Sequence, residues 1–242
     1  MNALPSIETL YDVCAQTWPA AVETQVGPWT IRDGQGGGQR TSAATVQGTF
    51  GLADLDLAER AMRSLGQDAL FMVREGETEL DDMLESQGYQ IKDPVNVYAC
   101  PINVLTDVEI PRVTAFSIWE PLQIMRDIWA KGGITEARVN VMERSNCVKT
   151  GLFSRWNEKP GGTGYAAIHE GIAMVHALEI LAHQRGKGVG KWMMRRAAFW
   201  AQDHGATDMS VICTKGNDAA NALYTSLGMT LIGGYHYRVK ID

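Results

Sequence analysis

The glycine-rich stretch at residues 184–191, Gln-Arg-Gly-Lys-Gly-Val-Gly-Lys, decides how the rest of the sequence is interpreted. It follows a mostly apolar run at residues 172–182, which predicts a buried strand, and precedes a helical pattern at residues 189–204. Glycines at alternate positions leave backbone N–H groups uncovered, and a helix start adds free donors and partial positive charge. With Arg185 and Lys187 inside the turn, the stretch predicts a phosphate or pyrophosphate site.

Two common nucleotide motifs do not fit this stretch. A P-loop needs a serine or threonine after its lysine, to bind magnesium, but Lys191 is followed by Trp192. A dinucleotide-binding turn needs the spacing GxGxxG and an acidic residue at the end of the next strand. Here the glycines have the spacing GxGxG, and the next predicted strand ends at residues 213–215 with Cys-Thr-Lys. The phosphate ligand must therefore belong to another class.

Composition narrows the function further. The chain has 242 residues and a net charge of -6, which argues against a general nucleic-acid binder because such proteins need a basic face. No apolar segment is long enough to span a bilayer, and residues 1–5 lack the pattern of a signal peptide. The five histidines and four cysteines form no metal-ligand motif, so no metal site is predicted. The dispersed cysteines favour a reducing, cytoplasmic location; they are Cys14, Cys100, Cys147 and Cys213.

Hydrophobic periodicity and turn residues predict a mixture of helices and strands. Helices are predicted at residues 6–17, 54–65, 77–87, 119–130, 135–144, 189–204 and 217–227. Strands are predicted at residues 29–32, 42–50, 69–74, 89–101 (with a break at Pro94), 147–156, 163–169, 172–182, 209–214 and 229–239. The glycine-rich segment at residues 34–38 is interpreted as a loop or hairpin connection, and residues 101–113 as a linker.

The two halves of the chain share an order of elements, which indicates an internal repeat. Gly76 and Gly88 each stand 140 residues before a glycine that follows a predicted strand or helix, Gly216 and Gly228. We therefore expect two copies of one fold, residues 1–110 and residues 111–242, although few residues are identical. The first copy lacks a glycine-rich turn and has Leu84 where the second has Tyr224, so the first copy is interpreted as degenerate.

The second half resembles the GNAT acyltransferase superfamily. Arg185, Gly188 and Gly190 match its (Q/R)xxGx(G/A) signature, which lies between the fourth strand and the next helix and cradles the coenzyme A pyrophosphate. Residues 217–229 are similar to a second family segment, N-x-x-A-x-x-x-Y-x-x-x-G-F, with Met at the last position. The resemblance covers residues 112–242 well and the first half only as a faded copy. It implies an α/β (α+β) protein of two GNAT-like domains, each a mixed, mostly antiparallel sheet flanked by helices.

The resemblance implies acetyl-CoA as cosubstrate and assigns its binding residues. The family's fourth and fifth strands splay apart, and backbone groups of the fourth strand bind the pantetheine arm; here these belong to Leu178, Glu179 and Ile180. Asn217 and Asn221 are expected to contact the coenzyme; the alternatives are that Asn217 is only a helix N-cap and that Asn221 is only an exposed residue. The predicted pyrophosphate ligands are Arg185, Gly186, Lys187, Gly188, Val189, Gly190 and Lys191.

Tyr224 and His176 are the predicted catalytic residues. A tyrosine is protonated at neutral pH, so Tyr224 can donate a proton to the leaving thiolate. In the arylalkylamine N-acetyltransferase branch of the family, a fourth-strand histidine at the spacing of His176 serves as base. The alternative is a core histidine held by a hydrogen bond, with Glu179 or Glu170 as the base.

The sequence thus predicts an N-acetyltransferase that moves an acetyl group directly from acetyl-CoA to a primary amine. The expected partner besides acetyl-CoA is an amine acceptor, with no nucleic acid and no membrane. A small molecule is favoured, and a protein N-terminus or lysine stays open as the acceptor. The first copy is expected to be structural or to supply one wall of the acceptor site. The alternative function is an acyl-CoA-binding regulatory module without turnover. The sequence leaves the identity of the acceptor and the oligomeric state open.

Overall fold

The computed structural model describes residues 3–240. The first two residues of the predicted N-terminal domain and the last two of the predicted C-terminal domain lie outside the described residues. The elements of the first half are α1 (Ile7–Thr17), β1 (Val22–Val26), β2 (Trp29–Asp33), α2 (Gln39–Ser42), β3 (Thr45–Val46), α3 (Leu52–Ser64), β4 (Leu70–Arg74), α4 (Thr78–Ser86) and β5 (Tyr89–Pro101). Those of the second half are β6 (Ala115–Ile118), α5 (Gln123–Lys131), α6 (Glu136–Arg144), β7 (Val148–Trp156), β8 (Lys159–His169), β9 (Ile172–Ile180), α7 (Val189–Asp203), β10 (Asp208–Thr214), α8 (Asp218–Ser226) and β11 (Thr230–Lys240).

One eight-stranded sheet takes strands from both halves of the chain. Its order is β4-β11-β5-β10-β9-β8-β7-β6, and all neighbours pair antiparallel except the parallel pair β9 and β10. The strand β5 lies between β10 and β11, and β11 in turn lies between β4 and β5. The expectation of one separate sheet for each half is therefore corrected, because the main sheet runs across the predicted boundary at residues 110 and 111.

The arrangement of strands nevertheless follows the repeat seen in the sequence. A smaller sheet has the order β1-β2-β3, and a parallel bridge between Ala44 and Phe71 connects its β3 end to β4. In the second half, the antiparallel strands β8 and β9 are likewise followed by a parallel pairing, between β9 and β10. Adding 140 to the bounds of α4 gives those of α8. Each half thus ends in strand, helix and strand, and the two final strands, β5 and β11, each pair with the other half. This geometry is compatible with a tandem arrangement, and the division at residues 110 and 111 stays a prediction.

The helices cover the main sheet on both faces. On one face, α7 packs across β6 to β9, with Met193 and Ala197 buried in a cluster that also includes Tyr224. On the other, α1 packs on β8, β9 and β11, while α5 packs on β8 and β9. The N-cap of α1 is Ser6, whose hydroxyl accepts a hydrogen bond from the backbone N–H of Thr9 at 3.2 Å. The first helix of the chain therefore lies against strands of the second half.

Four local differences from the predicted elements have simple causes. The strands β1 and β6 were not predicted; β1 is mostly exposed and rich in polar residues, and β6 has only four residues. Residues 42–50 form only the two-residue strand β3, preceded by the short helix α2. The helix predicted to begin at residue 119 begins at Gln123, because Pro121 disfavours helical geometry at the residue before it. Within residues 3–240, no helix combines the length and apolar character needed to cross a bilayer.

Candidate active site

The two parallel strands at the centre of the sheet separate halfway along their length. Residues 172–175 of β9 pair with residues 208–211 of β10, and no pairing follows, although β9 continues to Ile180 and β10 to Thr214. The separation begins where β9 bends: Ala177 has a φ of +50° and lies in a bulge opposite β8. Within residues 3–240, the β10-facing side of residues 178–180 therefore has no strand partner, as the resemblance implied.

The glycine-rich turn leads from the end of β9 into α7. Gly186 and Gly188 have φ values of +74° and +81°, which side chains with a Cβ rarely adopt. The first intrahelical hydrogen bond is from the N–H of Trp192 to the carbonyl of Gly188, at 3.2 Å. The N–H groups of residues 189–191 precede it and have no carbonyl within the helix to bind, so they are available to an anion.

The glycine at position 190 has a packing role as well. A Cβ at Gly190 would lie 3.0 Å from Cδ2 of Leu223 on α8, so the absence of a side chain lets the two helices approach at the turn. Val189 is buried in the cluster below, which anchors the first turn of α7. The N-terminus of α7 is therefore fixed beside the separated strands.

Two basic side chains of the turn bind groups of the turn and of the end of β9 in this structure. Arg185 donates to the carbonyl of Ile180 and to Oε1 of Glu179, both at 3.1 Å. Lys187 Nζ donates to the carbonyl of His183 at 2.8 Å. Lys191 is exposed on the first turn of α7. A phosphate ligand would thus meet backbone N–H groups first and would need the two long side chains to turn towards it.

The two asparagines predicted to contact the coenzyme both have structural roles at α8. Asn217 is the N-cap, and its side chain accepts a hydrogen bond from the N–H of Ala220 at 3.1 Å. The amide of Asn221 donates to the carbonyl of Asn217 at 2.8 Å and accepts from Asn96 and Tyr98 of β5, both at 2.8 Å. The side-chain amide of Asn221 thus links α8 to β5, and the merely exposed role weighed for it does not describe this geometry.

Tyr224 lies on α8 beside the separated strands and is 4% exposed. Its ring lies 5.8 Å from that of Tyr98, and its hydroxyl makes no hydrogen bond within the described part of the chain. Burial raises the pKa of the Tyr224 phenol, so the group is protonated at neutral pH. The hydroxyl is therefore an uncommitted donor, which suits a general acid.

His176 lies where β9 begins to diverge and is 4% exposed, with both ring nitrogens bound inside the protein. Nη1 of Arg40 donates to Nδ1 at 2.8 Å, so Nε2 carries the hydrogen and donates to Oγ1 of Thr17 at 2.8 Å. Thr17 donates onward to the carbonyl of Val13. Burial and the charge of Arg40 hold the pKa of His176 well below its usual value. Of the two roles weighed for His176, this geometry favours the buried, hydrogen-bonded histidine.

Neither of the two glutamates considered as alternative bases presents a free carboxylate at the point of separation. Glu179 is ion-paired with Arg185, and its side chain packs against Gly132, where a Cβ would approach Cδ of Glu179 to 2.6 Å. Glu170 precedes β9, at the end opposite to the separation. Its carboxylate lies close to Asp12 and His169, a mostly exposed group that could hold a cation by distance alone. Neither geometry places a free carboxylate beside the diverging strands.

A cavity of about 370 Å³ opens at the diverging strands, and both halves of the chain line it. The second half contributes residues of β9, β10 and β11 and of the α5–α6 region, while the first half contributes residues 37–40 and part of β5. Four lining residues have side chains that could take part in binding or catalysis but were not predicted as site residues from the sequence: Arg40, Asp93, Arg138 and Cys213. The one available signal was the strand break at Pro94, because Asp93 before it adopts a φ of +44° in the bulge of β5.

A mixed sheet whose central parallel strands separate beside a glycine-rich helix start defines the GNAT acetyltransferase fold. Residues 126–229 match the family model described as Acetyltransferase (GNAT) family. Over its whole length the chain is similar to YobR of Bacillus subtilis (strain 168), described as an uncharacterized N-acetyltransferase: 26% identity, covering 99% of this chain and 100% of YobR.

Solved structures share the fold of this chain over nearly its whole length. A GCN5-related N-acetyltransferase from Kribbella flavida superposes with a TM-score of 0.75 at 18% identity, covering 98% of this chain and 96% of that one. A tandem GNAT protein from the clavulanic acid biosynthesis pathway gives a TM-score of 0.63 at 12% identity, covering 98% and 88%. The family model thus matches part of the second half, and the solved structures share the fold of nearly the whole chain.

Proposed function

We propose that the protein is an N-acetyltransferase that moves an acetyl group directly from acetyl-CoA to a primary amine. The observation that carries the proposal is the separation of β9 and β10, which lies between the free N–H groups of residues 189–191 and the uncommitted hydroxyl of Tyr224. The cavity of about 370 Å³ adjoins the same point, so donor and acceptor would meet there.

The residues predicted for the coenzyme fit a pyrophosphate and a pantetheine arm. The backbone of Leu178, Glu179 and Ile180 offers hydrogen-bonding groups along the open edge, and residues 186–191 offer N–H groups at a helix N-terminus. A Cβ at Gly186 would meet nothing within 4 Å, which leaves room for a bulky anion over the turn. Arg185, Lys187 and Lys191 would add positive charge once their side chains turn outwards.

Each proton in the transfer has a proposed path. The acyl group arrives activated as a thioester; the new C–N bond forms as the C–S bond breaks, and the departing sulfur takes the proton of Tyr224. The amine loses its proton to a group that lines the cavity. Asp93 is the only carboxylate among the described residues that line the cavity, and we propose that it accepts this proton directly or through water. His176 then positions Arg40 and Thr17 rather than acting as the base.

Direct transfer is favoured over a route through an acetylated cysteine. Cys213 is the one cysteine among the described residues lining the cavity, and burial raises the pKa of its thiol to about 11. A neutral thiol is a poor nucleophile, so an acetyl-cysteine route is disfavoured. The cavity volume lies in the range of sites for small ligands, which supports a small-molecule acceptor.

The test is release of the coenzyme thiol from acetyl-CoA by the full chain in the presence of a broad panel of primary amines. We expect amine-dependent thiol release and an acetylated amine of matching amount by mass spectrometry. Acetyl-CoA binding without thiol release for any amine in the panel would favour a binding module and overturn the proposal. The Cys213→Ala variant is the matched control, because direct transfer predicts that it keeps its activity.

A further inference from the structure

The cavity beside the diverging strands contains a half-buried arginine with no acidic partner. Arg40 is the second residue of α2, and its guanidinium lies 5.6 Å from the ring centroid of Trp18 and 2.8 Å from Nδ1 of His176. Within residues 3–240 it forms no salt bridge. Its Nε is fully buried without a hydrogen-bond partner, Nη1 donates to His176, and the thiol of Cys14 and the phenol of Tyr235 also lie within hydrogen-bonding reach of the guanidinium. A guanidinium has five N–H donors, and none of these three neutral groups supplies the charge that would balance Arg40.

The groups around Arg40 do not neutralise its charge. Its titratable neighbours are Cys14, Tyr235 and Tyr237, together with His176. Burial raises the pKa of the thiol and of both phenols and lowers that of the histidine, so all four are neutral at pH 7. A charge that is partly withdrawn from water and has no partner of opposite charge is costly, and a bound anion would offset that cost.

A second arginine lies at the same end of the cavity. A Cβ at Gly38 would be 3.2 Å from Nη2 of Arg138, so the guanidinium of Arg138 lies against the backbone two residues before Arg40. Among the described residues, Arg138 also forms no salt bridge, and Asp93 is the only acid lining the cavity. A protein with a net charge of -6 thus presents a cavity whose lining has two guanidinium groups and one carboxylate.

We propose that the acceptor is an amine that also carries a carboxylate, and that Arg40 and Arg138 bind this carboxylate. Two fork-shaped guanidinium groups match the planar geometry of a carboxylate, and the pairing replaces the missing protein acid. The amino group then points to the diverging strands, near Ala177 and Cys213, where the acetyl group would be delivered. This inference rests on the proposed function and names its substrate class. The first half of the chain, through residues 37–40, thereby takes part in acceptor recognition.

Matched acceptors test the inference. Thiol release at saturating acetyl-CoA is measured with the common L-amino acids, β-alanine and 4-aminobutyrate, each beside its carboxamide and its decarboxylated amine. We expect at least one carboxylate acceptor to exceed both matched compounds by tenfold or more in kcat/KM. Equal or faster acetylation of the uncharged amines across the panel would overturn the inference and leave the proposed function standing. Acetylation of phosphate-bearing amines alone, tested with O-phosphoethanolamine, would overturn the carboxylate assignment.

Variants locate the preference on the two arginines. Arg40→Gln and Arg138→Gln should each reduce the carboxylate preference at least tenfold while leaving the KM for acetyl-CoA within about twofold. Arg60→Gln, on the exposed face of α3, is the control and should change neither value. Since Arg40 also binds His176, Arg40→Lys serves if the glutamine variant fails to fold. An unchanged preference in Arg40→Lys and Arg138→Gln together would overturn the inference.

A binding measurement keeps the inference testable without turnover. We expect an N-acetyl amino acid to raise the melting temperature of the protein, its N-acetyl amide to leave that temperature unchanged, and Arg40→Lys to lose the shift. If no amine supports thiol release, the proposed function fails while this measurement still tests the carboxylate site. An equal shift with the acid and the amide would overturn the carboxylate site.

Discussion

The hydroxyl of Tyr224 is the residue-scale feature on which the proposed chemistry depends most. Tyr224→Phe removes one oxygen and leaves the ring in its buried contact with Tyr98. We expect kcat to fall about 100-fold, a typical contribution of a general acid, with little change in the KM for acetyl-CoA. Steady-state kinetics with a competent amine measure both values. An unchanged kcat would remove Tyr224 from the role of acid.

His176 offers a prediction on pH and stability. The pKa of the folded histidine lies well below 6.5, whereas an unfolded histidine titrates near 6.5. Below that pH the unfolded state binds more protons than the folded state, so this residue's contribution is present above pH 6.5 and is lost as the pH falls. We expect the melting temperature to decrease from pH 7 to pH 5, and His176→Asn, whose amide can still accept from Arg40, to show a smaller decrease.

The same variant tests the base role that the sequence predicted for His176. If both nitrogens stay committed to Arg40 and Thr17, His176→Asn should retain the acidic limb of the pH–rate profile. Loss of that limb would restore His176 as the base. Asp93→Asn is the complementary variant, and under the proposal it should lose the limb.

The sequence contains continuous motifs for the proposed donor side, whereas it contains none for the proposed acceptor side. The turn at residues 184–191 and the segment at residues 217–229 are continuous motifs, because a helix N-terminus is built from adjacent residues. Arg40 and His176 are 136 positions apart, and only the folded chain brings them into hydrogen-bond contact. A charge pattern spread over both halves has no local signature in one sequence.

At the scale of elements, the start of α7 depends on one backbone conformation. Gly188 has a φ of +81° immediately before the helix, and its neighbours supply the free N–H groups. Gly188→Val should cost about 1–2 kcal/mol of stability from the left-handed conformation and should also abolish acetyl-CoA binding. Isothermal titration calorimetry measures the second effect, and thermal unfolding the first.

A matched glycine separates strain from binding. Gly205 follows the other end of α7 and has a φ of +84°, close to that of Gly188. A Cβ at Gly205 would meet nothing within 4 Å. Gly205→Val should therefore destabilise the protein to a similar extent while leaving acetyl-CoA affinity unchanged. Retained binding in Gly188→Val would contradict the pyrophosphate assignment.

Most long elements were predictable, because strong periodicity and glycine stops mark their ends. The helix α8 was predicted at residues 217–227 and spans Asp218–Ser226. Short edge strands were not predictable: β6 has four residues and no alternation of buried and exposed positions. Its existence depends on pairing with β7, which is a tertiary contact rather than a local preference.

For the whole molecule, the shared sheet predicts that the halves cannot be separated. Residues 111–242 expressed alone would leave β10 and β11 without β5 between them. We expect this fragment to show no cooperative unfolding and no acetyl-CoA binding. A full chain cut at a protease site introduced near residue 109 should remain one particle on size-exclusion chromatography. A fragment of residues 111–242 that folds and binds acetyl-CoA alone would support the division predicted from the sequence.

The repeat predicted from the sequence matches segments of the two halves, but it does not specify which strands pair. It rests on Gly76, Gly88, Gly216 and Gly228, which have the same spacing in each half. Nothing in their spacing distinguishes strands that pair within a half from strands that pair across halves, because both arrangements bury the same apolar faces. The pairing of β5 and β11 with strands of the other half could therefore be seen only in the structure.

The position of β11 has a consequence for synthesis on the ribosome. All other strands precede β11 in the chain, yet β11 is the strand that joins β4 to β5. Until residues 230–240 emerge, both of these strands keep an unpaired edge, and exposed edges are sites of aggregation. A ribosome that stops before β11 would thus release a product with both halves incomplete, so an early stop should yield a chain cleared by proteases rather than a half-active enzyme.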